Sequence, residues 1–511
     1  MLKRTEDVFG VLSLGVLILG GFFGAAILIS DSMLIVLSRS FDGTSPYGAL
    51  MSEDVSLAIR FLSVLCVAAG LFSALSLAFP ERFWKCLKQA KEKFQPRLIR
   101  KRSVIGVAVI LVLFSSIIYA GALRIGFHSD DFAWIESTAK TIQNPGHIFS
   151  LSQSHFFRPL TFIYHTLNYS LFGNNPYALH ISGILFHGLA ALFIFLIVLE
   201  LTDRTYLSIT AALLFCSYPV SSRSVMWISG SEIVFAGLIY LISFYLFLLY
   251  LKAGKSAYYV FSILFFILGL MAKEAVISLA LATLLSGILI PKRASRLSGL
   301  PFVVIGAVFL FIQLSIQADS FLIGENIYSL KPGVMIANYG GYTLASIIPL
   351  GHRVLLMFPF LKLFSLVALA VLIPAVLAIG SNLLKFLMLW FVVLLAPFMA
   401  FNLPVQPRYL YLPSFALCIL FAWILSALYR KVFAFSSYRK LAFFMGLCIL
   451  IGASLVQIHT ASVKMRYESK HMNEYIEEVK SDPQRMHEIK AGKLPADSPL
   501  TYDHLKAALN F

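Results

Sequence analysis

The sequence has 511 residues, 59% of them hydrophobic and 13% charged, with a formal net charge of +16 and a mean hydropathy of +0.84. Soluble chains of this size carry about 25% charged residues, so a water-soluble globular protein is excluded. A nucleic-acid surface is excluded too, because the basic residues sit in short segments between apolar blocks and are not interleaved with aromatic rings outside them.

Apolar blocks recur near 9–30, 57–79, 103–124, 178–200, 205–221, 232–251, 257–272, 275–290, 301–318, 361–380, 385–400, 409–429 and 440–458. Most are long enough to cross about 30 Å of hydrocarbon at about 1.5 Å per residue, which predicts an all-α polytopic membrane protein of about 13 spans. The first block follows Lys3 and Arg4. It exceeds the apolar core of a signal peptide and has no small-x-small cleavage pattern, so it reads as an uncleaved anchor. The segment 80–102 carries Arg82, Lys85, Lys88, Lys91, Lys93, Arg97, Arg100, Lys101 and Arg102 against Glu81 and Glu92, whereas Asp31, Asp42, Glu53 and Asp54 crowd the loop before it. Basic loops stay on the cytoplasmic side, so 80–102, Lys252/Lys255, Lys292/Arg293/Arg296, Lys385 and the 430–440 loop are expected inside. The segments 125–177 and 319–360 and the tail from His459 onward are then expected outside.

Residues 257–290 are apolar except for Lys273 and Glu274 at the middle, and both flanks are basic. One helix of that length would overreach the bilayer, so the stretch reads as a tight hairpin with Lys273–Glu274 at its outer apex. Within 125–177, Leu160, Ile163, Leu167 and Leu171 recur at helical spacing and predict an amphipathic helix in the interface plane. Asn175–Pro176 reads as the cap and first turn of the following span. Gly340–Gly341 and the prolines of 319–360 suggest a partly irregular, membrane-hugging segment, and the tail carries helical patterns near 461–480 and 500–510. The five cysteines, Cys66, Cys86, Cys216, Cys418 and Cys448, have no disulfide or metal spacing. The expected organisation is residues 1–102 with two N-terminal spans and a basic cytoplasmic loop, a transmembrane core over 103–458, and a short extracytoplasmic tail over 459–511.

Polar residues gather at the outer ends of the spans: Asp130–Asp131, Arg158, His180, Arg223, Glu232, Lys273–Glu274 and Arg408–Tyr409. Charges at membrane depth are costly and usually face a protein-lined cavity. Adjacent carboxylates suit a divalent cation, or one of them suits general-base work on a hydroxyl. Arginine and lysine near the interface suit a phosphate. His180 and His187, seven residues apart, share a helix face and suit interhelical hydrogen bonds better than metal ligation.

The run FFRPLTFIYHTLNYSLFGNNPYALHISGILFHGLAALFIFL at 156–196 resembles the RPL…GxNPxxxH…H segment of GT-C type membrane glycosyltransferases. It is most similar to the membrane core of tetratricopeptide-containing protein O-mannosyltransferases and their bacterial relatives. The stretches at 218–241, 270–285 and 408–423 continue the likeness in order, with Asp130–Asp131 in the first outer loop of the core. The first two spans look additional to that core, no tetratricopeptide repeats follow the last span, and SGSE at 229–232 replaces a Gly-Arg-x-Asp-like pattern. The resemblance implies a GT-C-like enzyme of the cytoplasmic (inner) membrane, with its site facing the extracytoplasmic side and with interfacial helices in the first core outer loop. It would move a sugar, with inversion, from a polyprenyl-phosphate-linked donor to a protein, lipid or glycan acceptor. It further implies Asp130 as general base and Asp131 as its partner, the pair being the ligands if a divalent cation is used. Arg158, Lys273 and Arg408 would hold the donor phosphate, with Glu274, Tyr409, His180 and Glu232 as further site candidates. An oligosaccharide ligase using a pyrophosphate-linked glycan and a lipid or sugar flippase are the rival readings. The charges cluster at one face and no internal repeat is evident, which weighs against the flippase.

The orientation is testable. An impermeant thiol reagent applied to intact cells should label Ser137→Cys and Ser498→Cys but not Lys91→Cys, and labelling at position 91 would invert the topology.

Overall fold

The computed structural model describes residues 101–151, 156–290, 295–317, 329, 331–347, 360–401, 405–433, 437–491, 493–495, 498, 500 and 502–509. The spans expected near 9–30 and 57–79 lie outside these residues. The chain divides into two compact units, one of Met1–Gln95 with Leu425–Thr460 and one of Pro96–Ile424 with Ala461–Phe511. Every residue discussed below as part of the site belongs to the second.

The described residues are helical with no strand, only an isolated bridge between Leu151 and Phe157. In chain order the helices are α1 (Lys101–Ile118), α2 (Asp131–Gln143), α3 (Pro159–Phe172), α4 (Pro176–Thr202), α5 (Thr205–Cys216), the short α6 (Ser222–Met226), α7 (Ser231–Ala253), α8 (Ser256–Ala272) and α9 (Ser278–Leu289). They continue with α10 (Leu300–Gln317), α11 (Pro332–Ile347), α12 (Phe360–Ile379), α13 (Asn382–Leu395), α14 (Pro413–Phe433), α15 (Ser437–Ser481), α16 (Pro483–Lys490) and α17 (Tyr502–Ala508).

Among the described residues two helices, α4 and α7, are long and apolar enough to cross a membrane unaided, and eight shorter apolar helices accompany them. Long apolar rows remain exposed, among them Ile105, Val109 and Ile117 on α1, Val304, Val308 and Phe311 on α10, and Phe364, Val367 and Val371 on α12. Contiguous surface of this kind is tolerated in lipid and not in water. With the composition, it defines a multi-pass membrane protein.

The helices start and stop for local reasons. Asn175 accepts from the backbone N–H groups of Tyr177 and Ala178, with Pro176 at the first position of α4, as the sequence indicated. α7 ends at Gly254, whose φ of +70° closes the helix in a left-handed turn that other residues adopt at a cost. The third apolar block was expected to run to residue 124, yet α1 ends at Ile118 and a 3₁₀ turn covers Ala120–Arg124. Gly121 packs there so closely on Ser462 that a β-carbon would collide with its hydroxyl. The fifth block stops at Cys216 instead of 221, because Pro219 cannot extend the helix. Of the 319–360 segment the described residues outside residues 329, 331 and 360 form α11, a regular helix with Gly340–Gly341 buried inside it, and the rest of that expectation lies outside the described residues.

The break at Lys273 is present, with the residue extended (φ −155°, ψ 132°) and a 3₁₀ turn over Glu274–Ile277. The two helices it separates do not form the expected tight hairpin. α8 packs on α7 and α3, while α9 packs on α13 and α10. Reciprocal bonds from the Ser243 and Ser262 hydroxyls to each other's backbone carbonyls (2.6 and 2.7 Å) fasten α8 to α7, the kind of polar contact that holds helices together in lipid.

In α3 the leucine row is the outward face. Leu167 and Leu171 are 57% and 76% exposed, while Thr161, Tyr164, His165 and Asn168 are buried against the protein. The helix is amphipathic as expected, but its polar side faces the protein and its apolar side faces out, as a helix lying against lipid requires.

The tail folds back onto the first loop of the core. Tyr475, Ile476 and Val479 of α15, Ile489 of α16 and Leu505 of α17 form one apolar cluster with Phe127, Phe132, Leu179 and Ile228. Ile476 is 4% exposed there. Ile476→Ala should therefore cost about 2–5 kcal/mol and lower the thermal midpoint of the purified protein; an unchanged midpoint would mean that the tail does not support this loop.

Candidate functional site

Helices α4 and α7 each begin at the polar end that carries His180 and Glu232. Each finishes at the opposite end, where Lys252 pairs with Glu200 at 2.8 Å. The site collects at the first of these ends.

Its centre is a group of four charges, three of them buried and Glu274 partly exposed. Arg158, at the N-cap position of α3, reaches Glu274 with a two-pronged fork, Nε to Oε2 and Nη2 to Oε1, both at 2.9 Å. Its Nη1 lies 3.4 Å from Glu232 Oε1, and Lys273 Nζ donates to that same oxygen. Arg158, Glu232 and Lys273 are each 7% exposed. The Thr161 hydroxyl donates to the carbonyl of Ala272 (2.6 Å), which ties α3 to the end of α8. Lys273 and Glu274, adjacent in sequence, thus pair with different partners and not with each other. Arg158 and Lys273 were expected to hold the donor phosphate; here both face carboxylates, and the group of four is formally neutral. Removing one member leaves its partner buried and unmatched, a loss of about 3–5 kcal/mol.

The acidic pair splits into two unlike residues. Ser129 has φ +51°, a left-handed conformation that strains a residue with a β-carbon. It turns the chain so that Asp131 begins α2 and Asp130 stands at its N-cap position without capping it. Asp131 is 1% exposed and its oxygens are fully engaged: Oδ1 accepts from the N–H and hydroxyl of Ser229, and Oδ2 from the N–H of His128 (3.1 Å). The His128 imidazole lies 3.4 Å from Oδ2. Burial alone would raise the Asp131 carboxyl, but the His128 side chain, Ser229 and the His128 backbone outweigh it and hold the group below the usual carboxylate range. Asp130 keeps 40% of its side chain exposed, accepts from the Ser129 hydroxyl (3.1 Å) and lies 3.7 Å from Arg408 Nη1.

Arg408 and Tyr409 occupy a 3₁₀ turn, Pro407–Leu410, ahead of α14 and not its first turn. The Arg408 guanidinium lies 5.0 Å from the ring centroids of both Trp227 and Tyr409 and donates to the Tyr409 hydroxyl at 3.2 Å. It is also within electrostatic reach of Glu232, so the acidic pair and the buried charges share one site. Beside Asp131 opens a small pocket lined by Trp134, Tyr164, His165, Asn168 and Ser231 among others. His165 stacks on Trp134 (4.3 Å), and its Nε2 is buried with no hydrogen-bond partner.

His180 hydrogen-bonds the carbonyl of Ile125 (3.1 Å) and His187 the Tyr411 hydroxyl (3.0 Å), so both serve contacts between segments. Asp131 already accepts three hydrogen bonds, and among the described residues no group of three or more His, Cys, Asp or Glu gathers. Sequence reasoning missed Ser229, His128, Ser469 and Asn473. Ser469 accepts from the Gly126 N–H (3.1 Å) and Asn473 donates to the Phe127 carbonyl (3.0 Å), holding the strand of chain that leads into Asp130. Polar residues on a distant helix carry no local signal of that role.

No protein-family model matches this chain, and no curated protein matches it. Its structure is similar to that of the archaeal oligosaccharyltransferase AglB from Archaeoglobus fulgidus in complex with an inhibitory peptide and a dolichol-phosphate. The TM-score is 0.49 and the identity 15%, over 81% of this chain and 64% of that one, so this chain spans less than two thirds of that protein's length. It is similar also to apo ArnT from Cupriavidus metallidurans, with TM-score 0.41, 11% identity, and coverage of 80% and 84%. At these identities the likeness is one of fold outline alone.

Burial lowers the His165 imidazole from its usual range to about 4. A base whose folded value is depressed takes up protons more readily when unfolded. Stability is therefore complete above about pH 6.5 and declines as pH falls from there toward about 4. The depressed Asp131 carboxyl adds its own loss at lower pH still. In melting curves against pH, His165→Gln should flatten the decline in the first window only; an identical profile would mean that His165 is not buried in its neutral form.

Proposed function

We propose that this protein is a GT-C-like glycosyltransferase that moves a sugar from a polyprenyl-phosphate-linked donor to an acceptor hydroxyl on a protein, lipid or glycan. The reaction takes place at the extracytoplasmic face of the inner membrane. The observation that carries this reading is a part-exposed carboxylate, Asp130, set 3.7 Å from the guanidinium of Arg408.

Asp130 takes the proton of the acceptor hydroxyl, and the hydroxyl oxygen attacks the anomeric carbon from the side opposite the phosphate. The sugar–phosphate bond breaks with inversion, and the phosphate departs on its lipid with a developing charge that Arg408 stabilises. Asp131 fixes the start of α2 and so aims Asp130. Arg158 and Lys273, with Glu232 and Glu274, set the field and the walls of the site behind that pair. The resemblance of the 156–196 segment to the GT-C core supports the same assignment.

Membranes containing the protein should consume a polyprenyl-phosphate sugar, whereas the purified protein should ignore nucleotide sugars. Asp130→Asn keeps shape but cannot accept a proton, so turnover should fall by about 10²–10⁴-fold with donor binding nearly intact. Wild-type turnover in that variant would remove Asp130 as the base, and direct use of a nucleotide sugar would remove the protein from this class.

A further inference from the structure

Four carboxylates and four cations meet at the site, but they do not all pair. Arg158 and Lys273 are balanced by Glu274 and Glu232. Asp131 is satisfied by Ser229 and His128. Asp130 faces Arg408. Arg223, on α6, is left over. Its guanidinium lies 5.6 Å from the Trp227 ring centroid, and it has no carboxylate partner among the described residues. Its Nε is buried without a hydrogen-bond partner, as is the Nε of Arg408.

Trp227 therefore carries two guanidinium groups, Arg223 at 5.6 Å and Arg408 at 5.0 Å. The indole is itself fixed: it is 3% exposed, and its N–H donates to the His128 carbonyl at 3.4 Å. The Ser224 hydroxyl donates to the Arg408 carbonyl (3.1 Å), locking the two arginine-bearing segments together. The ring face attracts each cation but supplies no hydrogen-bond acceptor. An anion that reached both guanidinium groups would supply the acceptors that the two orphan nitrogens lack. Guanidinium forks match phosphate oxygens in geometry as well as charge.

We infer that Arg223 and Arg408 form a two-guanidinium clamp, mounted on Trp227, for a phosphate group. The inference rests on the proposed function in assigning that phosphate to the lipid-linked donor. A phospholipid head group and free phosphate share the chemistry, and the test separates them.

Full-length protein in nanodiscs of zwitterionic lipid would be titrated with a polyprenyl phosphate and with the polyprenol of equal length. Donor turnover would be followed in the same preparation. The wild type should prefer the phosphate. Arg223→Gln and Arg223→Ala should weaken phosphate binding by about tenfold or more without changing polyprenol binding or the melting temperature. Arg223→Lys should recover part of the loss, because a lysine restores charge but not the fork. Equal phosphate binding in Arg223→Gln, or equal loss of polyprenol, overturns the clamp. Should turnover proceed in that case, the proposed function stands without it. Selective, Arg223-dependent binding with no turnover of any lipid-linked sugar supports the clamp and removes the function. If inorganic phosphate, or nanodiscs rich in phosphatidylglycerol, abolish the preference in an Arg223-dependent way, the clamp is a general anion site and its assignment to the donor is overturned.

Discussion

Four charges that must meet away from water organise this end of the molecule. Arg158 comes from the start of α3, Glu232 from the first turn of α7, and Lys273 with Glu274 from the break between α8 and α9. Where water is scarce an unmatched charge is far more costly than a matched pair, so these segments are held to one arrangement. The requirement also accounts for the break. In a continuous helix, neighbouring residues project about 100° apart and do not face a shared partner. The extended backbone at Lys273 sends its ammonium to Glu232 and frees Glu274 for Arg158. α8 and α9 then leave the break toward different partners.

Around that neutral centre the active groups are positioned by elements far apart in sequence. A left-handed turn at Ser129 separates the roles of two adjacent aspartates, one sealed and one open. Ser469 and Asn473, more than three hundred residues downstream, hold the backbone that leads into the turn. Trp227 is the mount for the two arginines, one from α6 and one from the turn before α14. The proposed chemistry is accordingly a property of loops and helix ends at one face of an apolar scaffold, and the strain at Ser129 lies where pre-organisation is needed.

Much of the scaffold was legible in the sequence because lipid imposes a blunt rule. A span must be apolar over its length, and Asn175–Pro176, Gly254 and Pro219 mark helix ends by chemistry that acts over a few residues. The outer-end charges that the sequence singled out do come together at one end of the bundle. The reach of the helices was less legible, since α1 stops at Ile118 for the sake of a contact between Gly121 and Ser462. Nothing near residue 121 reports the approach of residue 462.

By itself the sequence determined the class, the positions of most helices and the set of charged residues available for chemistry, because hydrophobic length and local capping are encoded residue by residue. Tertiary structure alone decided the pairing. Arg158 and Lys273 were expected from the sequence to hold the donor phosphate, and packing set them beside Glu274 and Glu232. Arg223 reads as one of several polar residues at the outer span ends, and packing left it on Trp227 without a carboxylate among the described residues. A side chain's identity fixes its charge. Whether that charge is spent inside the protein or left for a ligand depends on which groups three-dimensional packing brings within a few ångströms.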